Sequence, residues 1–302
     1  MAVLEELQQA ATVVVDKVAP AVVRIGAGGG RGAGVVVADG LVLTNAHNLR
    51  GAETTVTFSD GQSSTGQVRG VDADGDLAVV AVDTAKRGAI AWAPADASVG
   101  TPVFAVTTKG EQGARVTFGL VSAVGQAFRG PRGRRITGSL EHTAPLTRGS
   151  SGTPVVDGEG RLLGLNTNRL GEGFYLAIPA DADLRSRVDA LTRGEAPERK
   201  RLGIALTHSG AAKAMRRSVG LPDRDGLLVR HVDGEGPAGR AGVRAGDLIV
   251  EAQGRAVTTV DDLFEVVDAL EDASSLALKI VRGADEVAVS VTFGPAREEG
   301  SA

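Results

Sequence analysis

GVVVADGLVLTNAH, residues 34–47, sets the pattern of the first two thirds of this chain: valine-rich runs broken by Gly and Asp, ending here on a histidine. The same texture extends on both sides. AVVRIG (21–26) precedes it, and TTVTFSDGQSSTGQVRGV (54–71), DLAVVAVD (76–83), TPVFAVTT (101–108), ARVTFGLVSAV (114–124), RRITGSLEHTA (134–144), TPVVDGEGRLLGLNTN (153–168) and GFYLAIPA (173–180) follow. Runs of this length separated by turn residues read as short strands. Their regular spacing predicts antiparallel sheets closed into barrels or stacked as a sandwich.

Both ends of this region change character. Before it, Val3, Leu4, Leu7, Ala10, Ala11, Val14 and Val18 recur near the helical period and Pro20 follows, so residues 1–19 form an amphipathic helix. After it, ADADLRSRVDALTR (180–193) reads as a helix that Asp181 or Asp183 can cap. The polar stretch at 194–200 is a linker. Residues 201–294 then mix strand-like RLGIAL, helical SGAAKAMRRSVG, strand-like GLLVRHV, the Gly-rich PAGRAGVRAGD, strand-like LIVEA, the helix TTVDDLFEVVDAL and two final strands, which makes a small α+β module, with 295–302 a tail.

Composition narrows the function. The chain has 302 residues with 33 basic and 37 acidic side chains, so no positive excess is available for a phosphate backbone or an anionic membrane. Nucleic acid is therefore not the expected partner. Cysteine is absent, which excludes disulfides, thiol nucleophiles and thiolate metal sites. The amino terminus lacks a basic leader and its apolar run breaks at Asp16-Lys17, so it reads as neither a signal peptide nor a membrane span. As it stands the chain is expected in the cytoplasm; a removed leader would place it in the periplasm or elsewhere outside the cytoplasm. RGPRGRR (129–135) reads as a solvated loop, and the glycines at 28–30, lacking a following Lys-Ser/Thr, as a hairpin loop rather than a phosphate cradle.

Three segments carry chemistry: TNAH ending at His47, GDLAVV with Asp76, and GSSGTPVV with Ser151. Each residue alone is ordinary, but together they supply acyl transfer. A serine hydroxyl needs a neutral imidazole to take its proton, and the imidazole needs a carboxylate to fix its tautomer. Ser151 would attack, His47 would act as base and then acid, and Asp76 would orient His47. Gly149 and Gly152 let the backbone turn so that the amides of Gly149 and Ser151 point at one site, as an oxyanion hole requires. No cofactor or metal is implied.

With these motifs, in the order His, Asp, Ser, the chain resembles the HtrA or Deg family of trypsin-like serine proteases followed by PDZ domains. GAGVVV, LLGLNT and FYLAIPA match in type and order. The resemblance implies a chymotrypsin-like double antiparallel β-barrel over 20–193 and a PDZ domain over 201–294. It also implies an ATP-independent endopeptidase acting on unfolded or misfolded proteins, and a homotrimer. Leu146 would line the primary pocket, and the backbone of Asn166, Thr167 and Asn168 would pair with an extended substrate. In the PDZ-like part, the amides of Leu202, Gly203 and Ile204 would hold a peptide's terminal carboxylate. Departures from the family pattern are Ser150, Thr153 in place of glycine, Arg148 in place of proline and Thr143 in place of an acid. Thr153 is expected to strain the serine turn, which makes a catalytically silent peptide-binding scaffold the alternative.

Overall fold

The computed structural model describes residues 2–27, 30–93, 97–108, 113–130, 135–171, 173–195, 200–270 and 275–293. The chain divides into two compact units, 1–197 and 198–302.

In the first unit, helix α1 (Ala2–Val18) leads through a turn at Ala19–Ala21 into β1 (Val22–Ile25), β2 (Gly32–Ala38), β3 (Leu41–Thr44), β4 (Glu53–Thr57), β5 (Ser63–Asp72) and β6 (Leu77–Ala81). These strands close into a barrel in the order β1-β2-β3-β6-β5-β4. A second barrel follows: β7 (Pro102–Thr108), β8 (Ala114–Arg129), β9 (Arg135–His142), β10 (Pro154–Val156), β11 (Leu162–Arg169) and β12 (Tyr175–Pro179). Its order is β10-β11-β12-β9-β8-β7, with β10 pairing back onto β7. The double barrel thus replaces the sandwich that strand spacing alone leaves open.

Period-two alternation explains where the core sits. On β7, Phe104 and Val106 face a cluster that also contains Val22, Val36 and Leu43 of the first barrel, whereas Val103 and Ala105 face a second cluster with Val121, Leu140 and Val155. Helix α1 buries Val14 and Val18 in the first cluster and leaves Val3 and Leu4 exposed. Each such buried valine contributes about 1.5–3 kcal/mol. Helix α2 (Ala182–Thr192) adds Leu184, Val188 and Leu191 to the same cluster. Asp181 caps it, accepting from the Leu184 amide at 2.8 Å.

Helix α2 also fixes a loop that the site needs. Arg187 donates to Asp72 at 2.6 Å, and Asp72 accepts from the Gly75 amide at 2.8 Å. A Cβ on Gly75 would lie 1.8 Å from the Arg187 guanidinium and 2.2 Å from the Asp72 carboxylate, so a side chain there would displace this ion pair.

Among its described residues the second unit is a six-stranded sheet with three helices: β13 (Ile204–Thr207), α3 (Ser209–Ser218), β14 (Leu227–Val232), α4 (Pro237–Arg240), β15 (Leu248–Ala252), β16 (Arg255–Ala256), α5 (Val260–Asp268), β17 (Ser275–Arg282) and β18 (Asp285–Thr292). The order β13-β14-β15-β17-β18 leaves β13 on an edge. Part of the Gly-rich PAGRAGVRAGD forms the one-turn helix α4, started by Pro237 at a position where its missing N–H costs nothing. Thr259 and Asp262 close a reciprocal capping box on α5. No helix among the described residues is long and apolar enough to cross a membrane.

Candidate active site

His47 sits in the short turn Ala46–Asn48 that follows β3, and Asp76 sits in the β5–β6 connection. The fold brings them together: His47 Nδ1 lies 2.9 Å from both carboxylate oxygens of Asp76, and the His47 backbone N–H donates to the same carboxylate at 3.1 Å. In the neutral imidazole this geometry puts the proton on Nδ1, so Nε2 is the nitrogen able to accept one. A third donor, the Thr167 hydroxyl, reaches Asp76 at 2.6 Å. Asp76 is buried, so these three donors replace the water it has lost. Its backbone adopts φ +55°, an unfavourable conformation for a side-chain-bearing residue that costs about 1–3 kcal/mol. The Asn45 side chain holds it there, donating to the Asp76 carbonyl at 3.1 Å.

Ser151 lies on the opposite bank, in the second barrel. Its carbonyl is gripped by the first: the Ala33 amide donates to it at 2.7 Å and the Asn48 side chain at 3.0 Å. Gly152, at φ +91°, would place a Cβ 1.9 Å from the Ala33 carbonyl, so this close approach admits only glycine. Gly149 has φ +81°, and neither its amide nor that of Ser151 donates to another described residue. The Ser151 hydroxyl donates to the Thr167 carbonyl at 3.0 Å and makes no hydrogen bond to His47. Ser150, the neighbouring hydroxyl, is buried.

Behind the serine turn runs a hydrogen-bonded chain that sequence reading missed. Thr153 donates through its hydroxyl to the Ser150 carbonyl at 2.7 Å and accepts from the Asn166 side chain at 3.0 Å. Asn166 Oδ1 in turn accepts a hydrogen bond from His142 Nε2 at 2.7 Å. His142 is fully buried against Tyr175, and burial pulls its pKa below the ordinary imidazole range despite the opposing Asn166 bond and Glu141 charge. It is the neutral end of the chain. Thr153 therefore does not strain the turn, as its β-branching led us to expect: its φ is negative, and the added hydroxyl ties the turn to β11. Thr153→Val keeps the shape and loses these bonds; thermal unfolding should show a loss of about 1–3 kcal/mol, the cost of unpaired buried polar groups.

Beside Ser151 opens a cavity of about 210 Å³ lined by Leu146, Ser151, Asn166, Thr167, Asn168 and Tyr175, among others. Tyr175, not anticipated from sequence, donates to the Leu146 carbonyl at 3.2 Å and fixes the apolar wall. Asn166 departs from its expected role. Its N–H donates to Thr153 and its carbonyl accepts from Gly152, so its backbone is closed to an incoming strand and its side chain supports the turn. Thr167 falls at an irregularity in the β11–β12 register and serves Asp76 and Ser151 instead. Among the described residues no cluster of His, Asp and Glu is arranged to hold a metal ion.

In the second unit, Leu202 and Gly203 precede edge strand β13. Their carbonyls are anchored by the amides of Ala238 and Asp233, at 3.0 and 2.8 Å, while their own N–H groups donate to no described residue. Gly203 takes φ +74°. Ile204 pairs with Val232.

Comparison with known proteins agrees with both units. Residues 32–165 match the family model of the trypsin-like peptidase domain and 201–293 that of the PDZ domain. The putative serine protease HhoA of Synechocystis sp. is 31% identical over 280 residues, covering 87% of this chain and 70% of the relative. The chain belongs to the HtrA/Deg family of trypsin-like serine endopeptidases. A probable periplasmic DegP-like serine endoprotease of Halomonas elongata is 28% identical over 271 residues, covering 87% of this chain and 56% of that relative's length. The crystal structure of a serine endoprotease from Yersinia pestis superposes with a TM-score of 0.66 at 26% identity, over 93% of this chain and 96% of that one. This HtrA-type chain thus carries the double barrel and the PDZ fold that the resemblance implies.

Proposed function

We propose that this protein is an ATP-independent serine endopeptidase that hydrolyses unfolded polypeptides through an acyl-enzyme, with His47, Asp76 and Ser151 as its catalytic residues. The observation that carries this reading is the His47–Asp76 pair, whose Nδ1 lies 2.9 Å from both carboxylate oxygens while the adjacent Asn48 side chain holds the Ser151 carbonyl. Rotation of the Ser151 side chain away from the Thr167 carbonyl delivers its hydroxyl to Nε2. Nε2 takes the proton as Oγ attacks the scissile carbonyl, and the resulting oxyanion is received by the Gly149 and Ser151 amides. His47 then protonates the leaving amine, and water releases the acyl group by the same steps in reverse order. The cavity walled by Leu146 and Tyr175 suits a small or medium aliphatic side chain.

The PDZ unit, in this reading, binds peptide C-termini by strand addition at the open edge of β13, with the carboxylate on the Leu202–Ile204 loop. A homotrimer is the assembly that family likeness suggests. The periplasmic naming of the Halomonas relative favours an extracytoplasmic site. A second reading, a silent peptide-binding scaffold, draws on the Ser151 hydroxyl being turned to Thr167 rather than to His47. Incubation with casein and with a tightly folded protein of similar size, without ATP, separates the two: the protease degrades casein selectively, and the scaffold degrades neither, with or without added C-terminal peptides.

A further inference from the structure

The serine loop Thr147–Ser150 has a second face, turned away from the Leu146 cavity. There a separate hollow of about 490 Å³ opens between the β1–β2 hairpin, the end of β7 and this loop. Three arginines line it, Arg24, Arg31 and Arg148, and among the described residues no aspartate or glutamate does. None of the three makes an ion pair or a side-chain hydrogen bond with a described residue, whereas Arg87, Arg161, Arg187 and Arg193 of the same unit each hold a carboxylate. Arg24 rises from β1 between the buried Val23 and Ile25, and its Nε is itself buried without an acceptor. Its terminal nitrogens are not in that buried, unpartnered state, so the fork opens into the hollow it lines. Three unpaired guanidinium groups around one hollow repel one another and concentrate positive potential there. A carboxylate relieves both defects, because the guanidinium fork matches its two oxygens.

The hollow is placed to meet substrate. Gly149 and Ser150 border it, and so does Ala33, whose amide holds the Ser151 carbonyl. If the Leu146 cavity takes the side chain of the residue that is acylated, a reading that rests on the function proposed above, the chain beyond the cleaved bond passes over Ser151 toward Arg31. We infer that Arg24, Arg31 and Arg148 form a carboxylate-binding subsite for the leaving-group half of the substrate, which selects aspartate or glutamate shortly after the cleaved bond.

The test uses internally quenched peptides identical up to the cleaved bond, with Glu-Glu, Gln-Gln or Lys-Lys in the second and third positions after it. All carry a C-terminal amide, so the PDZ unit finds no free carboxylate on them. Two readouts are taken on the full chain: kcat/KM with the wild type, and Kd by fluorescence anisotropy with Ser151→Ala, each repeated with Arg24→Gln and Arg31→Gln. The acidic peptide should be favoured over the glutamine peptide by about tenfold, the worth of one charge-assisted hydrogen bond, and the lysine peptide should rank last. Either arginine substitution should bring the acidic-to-neutral ratio toward one. Arg31 is exposed, so Arg31→Gln keeps the test decisive even if Arg24→Gln does not fold. If no peptide is cleaved but binding keeps the acidic preference and loses it in the arginine variants, the subsite stands and the protease reading falls. Equal binding of the acidic and neutral peptides, or a preference untouched by both substitutions, overturns the subsite whatever the cleavage result.

Discussion

Ser151→Ala should lower kcat/KM toward an unfolded protein by about 10,000-fold or more, with folding intact. The substitution removes one oxygen from a half-buried position, and its backbone is held by the Ala33 amide and the Asn48 side chain, neither of which depends on the hydroxyl. The variant should therefore melt within about 1 kcal/mol of the parent, since only the single bond to the Thr167 carbonyl is lost. Combining it with His47→Ala should add little, because base and nucleophile act as one unit and either loss removes the same step. Full additivity of the two losses would show that they act separately and would break the assignment.

Asp76→Asn should cost about 10,000-fold in kcat at neutral pH while substrate binding changes little. The carboxylate accepts from the His47 amide, from His47 Nδ1 and from the Thr167 hydroxyl. A carboxamide offers only one accepting oxygen for these three donors, and its NH₂ must face one of them. If the NH₂ faces Nδ1, the imidazole takes the other tautomer, with its proton on Nε2, and can no longer accept the serine proton. The loss should appear in kcat rather than KM, and steady-state kinetics at several substrate concentrations separates the two. A variant that lowers affinity alone would make Asp76 a structural residue.

The chemistry of these three positions was legible because each is announced by its neighbours in the chain. His47 follows a strand, Asp76 follows a glycine packed against the Arg187–Asp72 pair, and Ser151 sits between two glycines with positive φ. Helix α2 was legible for the same reason, since Asp181 caps it from the adjacent turn. What sequence did not disclose depends on pairing between distant strands. The Thr167 hydroxyl meets Asp76 across 91 positions, and the chain from His142 through Asn166 to Thr153 exists only because β9, β11 and the serine turn share one barrel. Thr153 shows the limit most clearly: its β-branch reads as a fault against a glycine pattern, yet its hydroxyl has two buried partners that no local rule supplies. Asn166 was misassigned likewise, because whether a backbone amide is open to a substrate depends on the register of the strands beside it. The basic loop at 129–135 and the glycines at 28–29 fall largely outside the described residues.

The central claim is that Ser151 is a nucleophile activated by His47 and served by the amides of Gly149 and Ser151. Reaction with a fluorophosphonate, read by intact mass and by mapping the modified peptide, tests it most directly, because rapid phosphonylation needs both an activated hydroxyl and a formed oxyanion hole. A single adduct on Ser151 in the wild type and none in Ser151→Ala is the predicted result. An unmodified wild type, in the presence and absence of C-terminal peptide and unfolded protein, or an adduct carried by Ser150, would contradict it.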